Sequence, residues 1–328
     1  MAEGYRRARY LPPDGGAMKP SAVNRPPGRD LLYLGIAVAF ISTSGPIIAV
    51  TAAPALAIAF WRCFLGSVAM APWVLWRRRR EFAALDRREW KLIVISGLFL
   101  AAHFATWIPS LRFTTVASST ALVATQPIWA ALIARMRGAY VPTRAWIGIG
   151  IAMIGILALT GVDASIDPRH LIGDALALLG AVFAAAYVTV GAQVRQSVST
   201  VTMTFILYAV AAGALFIVSV VGGQALSGYS LQAWIYIALL TIGSQLLGHS
   251  LINRSLATTS ATVASLAILF EMPGSTLIAA LWIGQIPPLA ILPAIVLLFA
   301  GLVIVIRSGD RVPPNSTGPP LTQRKPEE

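Results

Sequence analysis

The chain carries one pattern twice, about 145 residues apart, and that doubling limits what it can fold into. The segment Ser110-Leu111-Arg112-Phe113-Thr114-Thr115-Val116-Ala117-Ser118-Ser119 is echoed by Ser255-Leu256-Ala257-Thr258-Thr259-Ser260-Ala261-Thr262-Val263-Ala264. Pro127 is echoed by Pro273, Gly138 by Gly284, Gly155 by Gly301, and Asp30 by Asp174. Each copy holds five apolar runs: 31–50, 55–75, 92–111, 116–134 and 145–162, then 175–194, 201–221, 233–252, 262–283 and 287–306. A bilayer core is roughly 30 Å thick, and runs this long must cross it as helices because lipid offers open backbone no partner. Five is odd, so the second copy lies upside down relative to the first. The expected fold is an all-α membrane protein of ten transmembrane helices in two inverted five-helix repeats. Such repeats suit a carrier that alternates its access.

Charged residues make up 12% of the chain, against about 25% in a soluble domain. Most of the chain therefore has no water-facing surface. The net charge of +12 invites a nucleic-acid reading, but its distribution points elsewhere. With the N-terminus cytoplasmic, the inside connections hold Arg77 to Arg80, Arg87, Arg88, Lys91, Arg135, Arg137, Arg144, Arg195 and Arg254. The outside connections hold only Arg112 and Arg169, the latter beside Asp163 and Asp167. The basic residues thus report orientation, with both termini cytoplasmic, and no nucleic-acid partner is expected. Cys63, the single cysteine, falls inside the second run, which excludes an intramolecular disulfide and a multi-cysteine metal site. Residues 1–29 read as a disordered basic tail, 30–162 as the first repeat, 171–306 as the second, and 307–328 as a disordered C-terminal tail. The first 29 residues are not expected to be a cleavable signal, because the run after them is full length.

Polar groups inside a span are costly and mark candidate functional positions. Arg62 lies well into the second span. It is either a snorkelling or carbonyl-tied arginine, or a fixed charge lining a cavity, where it holds substrate or pairs with Glu271. Glu271 is the one carboxylate well inside these runs and is the candidate proton-coupling residue, with a structural ion pair as the alternative. His103 and Trp107 stand four apart on one face of the third span. Gln245, His249 and Asn253 repeat every fourth residue of the eighth, as a pore lining or as a helix–helix hydrogen-bond seam. Gln126, just before Pro127, is nearly the repeat equivalent of Glu271 before Pro273. Arg62, His103, Trp107, Gln126, Gln245, His249 and Asn253 are the candidate substrate-binding residues. Pro46, Pro72, Pro109, Pro127, Pro273 and Pro293 fall within spans, and Ser42-Thr43-Ser44-Gly45-Pro46 makes the first span look broken. Gly148 and Gly155 are read as sites of close helix packing.

Several of these residues, in this order and doubled, resemble the drug/metabolite transporter superfamily in its EamA-type branch. Phe60-Trp61-Arg62, the Ser110-Leu111 and Ser255-Leu256 junctions, Pro127 and Pro273, and Gly138 and Gly284 carry the resemblance, which covers about residues 30–307. The stretch Gly97-Leu98-Phe99-Leu100-Ala101-Ala102-His103-Phe104-Ala105-Thr106-Trp107 looks like one bacterial subgroup of that branch. There are two departures. Ala139 and Gln285 stand where members often carry Glu. Met272 separates Glu271 from Pro273, which turns Glu271 by about 100° around its helix. The resemblance implies a mid-membrane cavity contributed by both halves.

The function expected from these features is secondary transport of small metabolites, amino acids or related compounds, across the bacterial cytoplasmic (inner) membrane. Export is the expected direction. The chain shows no Walker-type phosphate loop. Its three histidines, His103, His170 and His249, form no His-Glu-x-x-His motif, so an intramembrane enzyme is the weaker alternative, with a lipid-scrambling bundle beside it. No cofactor or metal is expected. The expected partners are a small-molecule substrate, the lipid bilayer and protons, with a homodimer left open.

Overall fold

The computed structural model describes residues 28–194, 197–255 and 267–308. The tails 1–27 and 309–328 and the echoing segment 256–264 lie outside the described residues. Every regular element among the described residues is helical. Nine helical spans there are long and apolar enough to cross a membrane, and Ala267–Ile283 is the described part of the remaining one. The first span comprises α1 (Gly28–Ser42) and α2 (Ser44–Val50), the second is α3 (Ala55–Arg77), and a short α4 (Arg79–Ala83) leads to the third, α5 (Arg87–Ser110). The fourth comprises α6 (Val116–Val123) and α7 (Gln126–Met136). Then follow α8 (Thr143–Ile166), α9 (His170–Val194) and α10 (Thr200–Val221). The eighth joins α11 (Leu231–Leu239), a π-helical stretch (Leu240–Gly248) and α12 (His249–Ser255). The ninth and tenth end the fold as α13 (Glu271–Ile283) and α14 (Ile291–Ser308).

Several helices outrun the apolar stretches that announce them. The third starts at Arg87 because Asp86 and Glu89 form a capping box, each side chain bonded to the other's backbone N–H. The tenth starts late, at Ile291, because Pro287-Pro288 favours extended backbone ahead of it. At the fifth and sixth spans the correction matters more. Asp163, read as a connection residue, lies within α8, and Asp174 lies within α9. Glu271 is therefore not the one acidic residue carried inside the spans.

The prolines sort into two groups. Pro72 and Pro109 are interior to α3 and α5. Pro46, Pro127, Pro273 and Pro293 instead occupy the first turns of α2, α7, α13 and α14, where a missing N–H costs nothing. The first and fourth spans are thus each two half-helices, broken at Thr43 and at Ala124–Thr125. Gly138 and Gly284, the echoed pair, have φ of 85° and 70° and stop α7 and α13. Only glycine adopts that left-handed turn without strain.

The packing obeys the repeat. The second span packs on the seventh and the fifth on the tenth, each an equivalent pair, while the third packs on the sixth as the eighth packs on the first. This is the pairing that a twofold axis exchanging the halves produces. Glycine permits the tightest of these crossings. A Cβ on Gly155 would lie 2.6 Å from Leu298 N, and one on Gly301 would lie 2.5 Å from Ala152 N. Large apolar side chains such as Leu157, Phe216, Val221 and Leu281 point outward, the face that lipid covers. At one rim Arg77 lies over Trp76 at 4.5 Å and Trp73 at 5.7 Å, a belt of aromatic and basic groups suited to the lipid interface.

Candidate functional site

Arg62 is the pivot of the polar interior. It lies two turns into α3, roughly 10 Å along the axis at 1.5 Å per residue. It is 1% exposed. Its Nε donates to Gln245 Oε1 at 2.7 Å, and Gln245 Nε2 donates back to the Arg62 carbonyl at 3.1 Å. The guanidinium carbon sits 4.3 Å from the centre of the Phe104 ring. This geometry favours Arg over Lys, because a planar guanidinium can bond through an edge and stack through a face. A Cβ on Gly66 would lie 2.7 Å from Gln245 Nε2, so glycine one turn after Arg62 makes the room for this pair. Nη1 of Arg62 is buried with no acceptor.

Arg62 and Glu271 do not form an ion pair. Among the described residues the single pair within 4.0 Å is Arg78–Glu81, at 3.9 Å on the rim. Glu271 nevertheless belongs to the neighbourhood of Arg62, as do Tyr187, Tyr208 and His249. His103 lies in the same neighbourhood as Arg62 and His249. The structure thus gathers Arg62, His103, Gln245, His249 and Glu271 from the second, third, eighth and ninth spans.

His103 is held on α9. Its Nδ1 is 2.9 Å from the Gly180 carbonyl. A carbonyl only accepts, so Nδ1 carries a proton, and a neutral ring so held has Nε2 as its acceptor. The ring stacks on Trp107 at 5.7 Å and 9°, the contact expected of residues four apart on one helix face. Trp107 is buried, and its Nε1 has no acceptor.

The stripe of the eighth span is split. Gln245 is buried, whereas His249 is exposed. The π-helical stretch explains this, because its i→i+5 bonding means that residues four apart no longer overlie one another. The Asn253 side chain lies outside the described residues. Gln126 and Glu271 occupy the same place in their halves, as the first residues of α7 and α13, and both are half-buried. Met272 still places Glu271 two residues before its proline, where Gln126 precedes its own by one. Each stands at the positive end of a half-helix dipole. Gln285 has a different task, since its Oε1 accepts from Val116 N at 3.1 Å and so caps α6.

Phe104, Tyr187, Tyr208 and Gly66 were not legible as site residues, because an aromatic or small residue inside a span reads first as packing. An apolar groove of about 460 Å³ between α3 and α10, lined by Phe60, Phe64, Val68 and Phe216, holds none of these polar groups and faces outward. The polar site offers a fixed cation with an unused N–H, an aromatic wall and an imidazole held by the Gly180 carbonyl. That set can hold and orient a small polar molecule.

The model of the EamA-like transporter family matches residues 30–161 and 171–307, one stretch on each half. An uncharacterized transporter from Archaeoglobus fulgidus is 25% identical over 166 residues, which cover 49% of this chain and 55% of the relative. The chain thus spans about half the length of that curated relative. A solved crystal structure superposes with a TM-score of 0.60 at 17% identity, over 84% of this chain and 96% of the other, a likeness that shows the fold alone. With a match along both halves, the chain belongs to the EamA-like transporter family.

Proposed function

We propose that this chain is a secondary transporter that moves small metabolites, amino acids or related compounds, across the bacterial cytoplasmic membrane by alternating access. Export is the direction we propose. The observation that carries the reading is Arg62: a buried guanidinium, oriented by Gln245 and Phe104, not neutralised by a carboxylate, and with Nη1 unused. A buried charge left so is costly. An anionic group on the substrate offsets that cost when bound, and this makes Arg62 the substrate anchor. His103, Trp107, Gln126, Gln245, His249 and Asn253 complete the proposed binding set. Arg62 and Gln245 are buried in this conformation, whereas Gln126 and Glu271 are half-buried and His249 is exposed.

Flux of a radiolabelled metabolite panel into liposomes holding the purified protein tests this reading. Saturable uptake and counterflow support the carrier. Chemical conversion of the label points to an enzyme, and lipid exchange without solute flux to a scrambling bundle.

Glu271 is the proposed coupling group. It lies at the broken ninth span, near Arg62 without being locked to it. Glu271→Gln is expected to insert normally and to exchange substrate, yet to lose accumulation driven by a pH gradient. Undiminished proton-driven accumulation in that variant ends the coupling role.

A further inference from the structure

A second polar cluster lies away from Arg62, at the end of the bundle where α8 leaves off and α9 begins. Asp163 and Asp174 are 0% and 1% exposed, and Thr114, just after α5, is 7% exposed. The Asp174 carboxylate faces the Asp163 carboxylate and the Thr114 hydroxyl. The helix is pressed onto this point, since a Cβ on Gly173 would lie 2.7 Å from both the backbone N and the Cβ of Thr114. All four carboxylate oxygens and Thr114 Oγ1 are buried without a hydrogen-bond partner.

Among the described residues no basic side chain forms an ion pair with either carboxylate. Arg112 turns away and donates to the carbonyls of Ala49, Thr51 and Ala53. Arg169 is exposed. Asp167 accepts from the Arg169 backbone. His170, one turn before Asp174 on α9, has an unpartnered Nδ1. Two adjacent buried carboxylates need a counter-charge. A single proton shared between them would bond one oxygen of each, and the Thr114 hydroxyl could serve a third, but the pair would keep one buried negative charge without a counter-charge. A cation of charge +2 contacts oxygens of all three side chains and balances both charges.

We propose that Asp163, Asp174 and Thr114 form a binding site for a hard divalent cation of the calcium class. The donors are oxygens only, and no group of three acidic, histidine or cysteine side chains joins them among the described residues. Such a set selects a hard ion over zinc or copper. The bound ion would tie the end of α8 to the start of α9, the junction between the two repeats. This proposal is independent of the Arg62 site.

The experiment uses the full chain purified in detergent, with radioactive calcium in equilibrium dialysis and thermal unfolding in parallel. Millimolar Ca²⁺ is expected to raise Tm by several degrees over EDTA, with one ion bound per chain. Asp163→Asn and Asp174→Asn should each abolish binding. Thr114→Val, a milder change, should weaken it at least threefold while the protein still folds, and keeps the idea testable if the Asp variants do not. Absence of calcium binding to the folded chain overturns the proposal. A stabilisation that follows Na⁺ alone overturns it in favour of a monovalent site. A stabilisation that follows pH but no metal ion overturns it in favour of a shared proton.

Discussion

At the scale of single residues, Arg62 combines three features that no other side chain reproduces. Its Nε bonds Gln245, its face meets Phe104, and its Nη1 is buried without an acceptor. Lys keeps the charge but loses the fork and the stacking face, and Gln keeps donors but loses the charge. Arg62→Gln is expected to lower saturable transport by at least about tenfold, with Arg62→Lys between it and the parent, for a loss of a charge-assisted bond. Transport per folded molecule, with folding followed by gel filtration, checks this. A normal rate in Arg62→Gln would count against an anchor. Arg62 and Gln245 were legible because a charge or amide within twenty apolar residues demands an explanation. Their aromatic and glycine neighbours were not, since they look like packing until the charge is placed. Asp163 and Asp174 were legible as residues and misplaced as to environment. An apolar window ends at the first charge, but a helix runs on until a backbone group stops it.

At the scale of elements, the echoed Pro and Gly positions marked where spans break and end. The π-helical stretch could not be read, because a polar residue every fourth position describes an α-helix equally well. Two element contacts support sharp expectations. Gly155 on α8 faces the backbone of α14, where a Cβ would meet Leu298 N at 2.6 Å, whereas nothing lies within 4 Å of one on Gly150 of the same helix. Gly155→Ala should therefore destabilise by about 1–3 kcal/mol as an overpacked contact. Gly150→Ala should be neutral or stabilising by up to about 1 kcal/mol. Paired melting curves decide, and equal effects would sink the close-crossing argument. The second contact joins the halves. Glu81 on α4 accepts from Ser199 N at 2.6 Å, Ser199 Oγ at 2.8 Å and Thr202 Oγ1 at 2.9 Å, capping α10. Burial alone would raise the Glu81 carboxyl, but these hydrogen bonds and Arg78 hold it below its ordinary value. A carboxyl lowered on folding contributes stability above its unfolded pKa and loses it as pH falls through the folded one. Glu81→Gln should lower Tm at pH 7, and the gap should close as pH drops below about 4. A gap independent of pH would show that shape, not charge, matters there.

At the scale of the whole molecule, the twofold pairing of spans was predictable in kind from the doubled sequence and the odd number of runs per copy. What sequence could not supply was which equivalents touch, since that depends on how closely glycine faces let helices approach. The charge asymmetry adds the orientation, which we predict to place both termini in the cytoplasm. Lys and Arg are retained on the side that does not require their transfer across the bilayer. Here the connection after α3 and the first turn of α5 hold Arg78, Arg79, Arg80, Arg87 and Arg88, whereas the connection between α10 and α11 holds no charge. A cysteine scan tests this directly. Cys63 is 0% exposed and can first be replaced by Ala. Ser227→Cys, exposed between α10 and α11, should react with a membrane-impermeant maleimide in intact cells. Ser316→Cys, in the C-terminal tail, should react only after the cells are opened. The reverse pattern would invert the molecule in the membrane, and labelling of both in intact cells would break the ten-span arrangement of two inverted five-helix repeats.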